Sequence, residues 1–116
     1  MVRIKSNDIQ VTREDDLILL VQVEGSVDTS TDTALFTVKR TPRAEEKLIE
    51  KELPITADDN GRHYVEIVLT HEDTDLPPRA YVWDLRVLHA ADGGTFTVET
   101  PMDYATFEVS EVVGDV

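Results

Sequence analysis

The chain has 116 residues, 41% hydrophobic and 30% charged, which suits one folded domain over residues 1–116 with a single core and is not the composition of a disordered chain. It contains no cysteine, so disulfides and thiolate metal sites are excluded. With 24 acidic against 11 basic residues the formal net charge is −13, which repels phosphate backbones and anionic bilayers, so neither nucleic acid nor membrane is expected as a partner.

No window reaches the roughly 18 apolar residues of a membrane span, and the opening MVRIKSNDIQ lacks the apolar run of a signal peptide. The expectation is synthesis in the cytoplasm. Both chain ends are expected to be held in a sheet or by a neighbouring copy, since untethered ends fray.

Alternation of apolar and polar side chains, the mark of a half-buried strand, runs through most of the chain. DLILLVQVE sets Leu17, Leu19, Val21 and Val23 on one face and Ile18, Leu20, Gln22 and Glu24 on the other. ALFTVKR groups Ala34, Phe36 and Val38. KLIEKELPIT aligns Ile49, Lys51, Leu53 and Ile55, and Pro54, which has no N–H to donate, places this segment at a sheet edge. Asn60-Gly61 predicts a two-residue hairpin turn into a strand that buries Val65, Ile67 and Leu69.

AYVWDLRVLHA is the longest strand, with Tyr81, Trp83, Leu85 and Val87 inward and Asp84 and Arg86 outward. Trp83 is the expected centre of the core. A turn at Asp92, Gly93 and Gly94 leads to TFTVET, with Phe96 and Val98 on one side, and ATFEVSEVV closes the chain with Ala105, Phe107 and Val109 together. Only RAEEKLIEK has a helical spacing of charges, and its second half reads better as strand. The pattern predicts an all-β fold, an immunoglobulin-like β-sandwich of about 7–8 antiparallel strands. In such folds a tyrosine near the start of a late strand bonds back to upstream backbone, a role that suits Tyr81 after Leu76, Pro77 and Pro78.

Catalytic patterns are missing. Ser6, Ser26, Ser30 and Ser110 lie in loops or on a polar strand face without a nucleophile setting. His71, Glu72, Asp73 and Asp75 crowd one loop, but neighbouring loop residues rarely converge on one ion, and the segment from Thr70 to Asp75 reads as a polar turn. His63 and His89 have no ligand-like spacing. Asp28 to Asp32 and Asp58 to Asn60 carry the residues that turns are made of. Glu50 and Glu52, two apart on one strand face, sit beside Lys47 and Lys51 as a solvated edge and not as an acid–base pair. The expectation is therefore no enzyme, no catalytic, cofactor-binding or metal-ligating residue, and no cofactor.

Three segments together resemble the immunoglobulin-like domains of tailed-phage and prophage virion proteins, of the kind at the N-terminus of upper baseplate proteins. They are Thr31 to Arg40, with Phe36 and Lys39; Ile67 to Val87, with Leu69, Thr70, Glu72, Asp73, Thr74, Leu76, Pro77, Tyr81, Trp83, Asp84 and Leu85; and Gly93 to Val113. Thr31 and Arg79 stand where that family usually has glycine. The resemblance implies a structural part of a phage tail or baseplate, an assembly or attachment module. It would bind other virion proteins and copies of itself as a homo-oligomer, and pass from the cytoplasm to the assembled virion. The alternative is a small calcium- or carbohydrate-binding β-sandwich.

Overall fold

The computed structural model describes residues 3–4, 8–25, 27–90, 96–99 and 105–111. Those residues form nine strands and no helix: β1 (Arg3–Ile4), β2 (Ile9–Thr12), β3 (Leu17–Glu24), β4 (Thr33–Lys39), β5 (Ile49–Ala57), β6 (His63–Leu69), β7 (Arg79–Ala90), β8 (Phe96–Glu99) and β9 (Ala105–Ser110). The fold is an immunoglobulin-like β-sandwich. One layer runs β1-β3-β6 and ends on the last residues of β5; the other begins on the first residues of β5 and runs β4-β7-β9-β2, with β8 also on β7.

The inward rows are those the alternation predicts, because successive strand side chains point to opposite faces. Val21, Val23, Phe36, Val38, Val65, Ile67, Leu69, Leu85 and Val87 are all buried. Trp83 is 1% exposed and packs on Phe36, ring centroids 5.7 Å apart, and Phe36 in turn meets Phe107 at 6.4 Å. These tilted ring contacts join three adjacent strands of one layer, β4, β7 and β9.

Pro54 sits where β5 changes layers. Ile49 to Pro54 pair with β4 as the edge of one sheet, and Ile55 to Ala57 pair with β6 as the edge of the other. A residue without an N–H is tolerated at such a corner, where one ladder stops and the next begins.

Three expectations need correction. Strands number nine among the described residues, with Ile9–Thr12 and the short Arg3–Ile4 added to those the pattern predicts. The pairing is not wholly antiparallel: β2 lies parallel to β9, Ile9 beside Phe107 and Val11 beside Val109. Ile9 and Val11 alternate locally, but the strand that buries them lies far along the chain and no local pattern names it. The Asn60-Gly61 turn is also longer than two residues. Asp58 donates its amide to the Arg62 carbonyl at 2.9 Å, leaving a three-residue loop in which Gly61 alone has a positive φ, 77°. The Asp58 carboxylate accepts the Asn60 and Arg62 amides, both at 2.9 Å, and that selects the longer turn. The Asp92–Gly94 turn, the two chain ends and the side chains of Phe96 and Val98 lie outside the described residues.

Candidate functional site

The acidic loop between β6 and β7 is architecture. Asp73 accepts the Thr70 amide at 2.9 Å, and Asp73 donates its own amide to the Thr70 hydroxyl at 3.3 Å. Thr74 is fully buried and its hydroxyl donates to the Asp15 carbonyl at 2.8 Å, tying the loop to the start of β3. The ionised groups then diverge: Asp73 meets Lys51 at 2.9 Å, Asp75 meets Arg13 at 2.9 Å, and the His71 ring lies 3.1 Å from Asp16. Burial pushes the Asp73 carboxyl up, but the Thr70 amide and Lys51 outweigh it and hold it below its ordinary range. Past the loop, the Tyr81 hydroxyl donates to the Pro77 carbonyl at 2.5 Å, the corner bond predicted for it.

At the other end of the sandwich the fold brings together residues that sequence spacing kept apart. His89 Nδ1 lies 2.8 Å from the buried Asp32 carboxylate, 57 positions away, and His63 lines the same open recess with Asp28 and Thr31. Asp32 also accepts the Asp28 amide at 3.0 Å. Asp28 accepts both the Ser30 hydroxyl, at 2.6 Å, and the Ser30 amide, bonds that lower its pKa. These carboxylates thus close their own turn. Among the described residues no group of three or more His, Asp or Glu side chains is placed to hold a metal ion. Glu50 is paired with Lys47 at 2.7 Å and stands exposed with Glu52 on the outer face of β5.

A small recess on the outer face of the β4–β7 layer is lined by Thr37, Lys39, Pro42 and Arg86 around Asp84. The Asp84 side chain is only 17% exposed, with Arg86 at 3.6 Å, and its Oδ1 is buried with no hydrogen-bond partner among the described residues. Burial pushes this carboxyl above its usual range, against the pull of Arg86, Lys39 and Lys47.

The outer face of the opposite layer is different in kind. Ile18 and Leu20 on β3 are each 63% exposed, and Val68 on β6, directly across from Ile18, is 45% exposed. Ile18 and Val68, with Leu17 and Leu69 beside them and Asp16 and Thr70 at the end, line a shallow, mainly apolar groove. Neither β3 nor β6 carries a lysine or arginine, and Glu66 and Asp16 supply the exposed charge around the strip. The alternation in the sequence already put Ile18 and Leu20 on the second face of β3; only the fold reveals that nothing described covers them.

No family model and no curated protein matches this chain. Among solved structures, it is similar to the crystal structure of AggA, the major subunit of aggregative adherence fimbriae type I from Escherichia coli. Identity is 9% over 97% of this chain and 96% of that one, with a TM-score of 0.40. None of these comparisons bears out a part in a phage tail or baseplate, and that expected role is withdrawn. The motif residues behind that expectation are accounted for by the sandwich itself: Thr70, Asp73 and Thr74 build the turn, Tyr81 the corner and Trp83 the core. A likeness at 0.40 carries no role from the fimbrial subunit to this chain.

Proposed function

We propose that this chain is a non-catalytic, immunoglobulin-like interaction module that docks on another protein through the outer face of β3 and β6. The observation that carries the reading is the exposed strip of Ile18, Leu20 and Val68 on an otherwise charged domain. Contiguous exposed apolar side chains rimmed by polar ones mark interaction sites, whereas isolated ones need no explanation. Completing the burial of these three side chains is worth roughly 3 kcal/mol before the cost of association, using about 2 kcal/mol for a fully buried side chain of this size. The acidic loops, by contrast, are engaged in holding turns: Asp28, Asp58 and Asp73 all accept backbone amides of their own loops, which favours binding over catalysis.

The reading is tested by photo-crosslinking in the cells that make the protein, with a photoreactive residue at position 20 or, as a control, at position 52 on β5. The expected result is one defined crosslinked protein from position 20, absent from position 52 and lost in the Ile18→Thr/Val68→Thr background. Equal labelling from both positions, or none from position 20, overturns it.

A further inference from the structure

The strip lies beside a sheet edge that the described residues leave open. β1 pairs with β3 in an antiparallel register, Arg3 beside Glu24 and Ile4 beside Val23. Continued along the chain, that register would bring Asp8, Ile9 and Gln10 beside Leu19, Ile18 and Leu17. The chain leaves before it gets there: Ile9 and Gln10 pair with Phe107 and Glu108 of the other sheet, and Asp8 accepts the Thr106 amide at 3.4 Å. Among the described residues, nothing pairs with the outer flank of β3 over Leu17–Leu19.

The side chains record the same gap. Leu17 and Leu19 point toward the core yet are only half-buried, whereas Val21 and Val23, nearer to β1 on the same face, are 4% and 1% exposed. Among the described residues, the side of the sandwich is therefore open at Leu17 and Leu19, and the outer face is open at Ile18 and Leu20. An exposed, apolar, unpaired edge is a template for another strand, and folds that do not use such an edge usually blunt it with lysine, proline or a covering loop. β3 carries neither lysine nor proline.

We propose, resting on the interaction-module reading above, that the occupant is an extended segment of a partner protein that adds as a strand along the outer flank of β3. Main-chain hydrogen bonds hold such a ligand and side-chain pockets select it. Its face toward the core would complete the cover of Leu17 and Leu19, and its opposite face would lie beside Ile18 and Leu20, so a run of about four consecutive apolar residues fits, at one residue per strand position. The flanks of that run would be lysine or arginine. The exposed acids at this end are Asp15, Asp16, Glu66 and Glu72, and the chain as a whole carries −13. A second copy of this chain brings the same acidic rim and is disfavoured by like-charge repulsion.

The probes are three peptides: Lys-Lys-Val-Ile-Val-Ile-Lys-Lys, the same apolar run flanked by glutamates, and the lysine-flanked run N-methylated at alternate backbone positions. Each is titrated into the isotopically labelled full chain while amide exchange and methyl signals are followed. The lysine-flanked peptide is expected to slow exchange of the outward amides within Leu17–Leu19 at least tenfold and to shift the methyl signals of Ile18, Leu20 and Val68. The glutamate peptide should bind at least tenfold more weakly at low salt, a gap that narrows as salt screens the rim. Equal binding by the N-methylated peptide overturns strand addition and leaves the docking face standing. Equal binding of both charge variants overturns the basic flanks. An absence of methyl shifts with every peptide overturns the proposed occupant; the reading beneath it then stands or falls on the crosslink from position 20.

Discussion

Replacing Tyr81 by phenylalanine removes one hydroxyl and leaves the ring, which is 2% exposed, in place. What is lost is the 2.5 Å bond to the Pro77 carbonyl, four residues upstream. A neutral hydrogen bond contributes about 1 kcal/mol net, and up to about 3 kcal/mol when the abandoned partner stays dry. Pro77 is an exposed residue, so water can reach its carbonyl, and the expected loss is about 1.5 kcal/mol. A chain of 116 residues unfolds with an entropy near 0.24 kcal/mol/K, so the melting temperature should fall by about 6 °C. The urea midpoint should fall with no change in slope, because the surface exposed on unfolding is unaltered. A loss under about 0.5 kcal/mol, the scatter of surface substitutions, would refute the claim that this bond anchors the crossing between the sheets.

Other substitutions test the remaining polar groups. Asp84→Asn should raise stability at neutral pH by about 1 kcal/mol, since it removes a carboxylate that burial disfavours. The sign follows from linkage: with its pKa raised in the folded state, Asp84 weakens the fold above that value, and the advantage of the variant fades as pH falls through it. A variant advantage that grows toward acid pH in urea titrations would contradict this. Gly61→Ala should cost about 1 kcal/mol from its φ of 77° alone, since no atom lies within 4 Å of an added Cβ; no loss would argue against the left-handed turn. Thr74→Val should cost about 1–2 kcal/mol by leaving the Asp15 carbonyl without its buried donor, measured by the same denaturation curves.

Much of the fold is legible in local alternation. The inward rows of β3, β6, β7 and β9 follow from two-residue periodicity, and Tyr81 and Trp83 could be placed because the preceding prolines mark a strand entry. The remainder depends on partners far along the chain. Ile9 and Val11 alternate as a strand should, but their choice of β9 over β3 is made by contacts about 98 positions away. The layer change at Pro54 was visible only as an interruption. His89 and Asp32 meet across 57 positions, and no motif spacing announces such a pair.

The candidate surface was half visible. Ile18 and Leu20 could be assigned to the second face of β3, which begins apolar and ends polar at Gln22 and Glu24. Among the described residues nothing stacks on that face, which is a property of the whole topology and not of the segment.

The account stands most directly on native-state amide exchange along β3 in the protein alone. Where only β6 pairs with β3, alternate amides face an empty flank, so protection over Leu17–Leu19 should alternate between slow and fast, and should become continuous near Val23, where β1 closes the edge. Uniformly slow exchange from Leu17 to Val23 would mean that the flank is already covered, and the open edge on which strand addition depends would not exist.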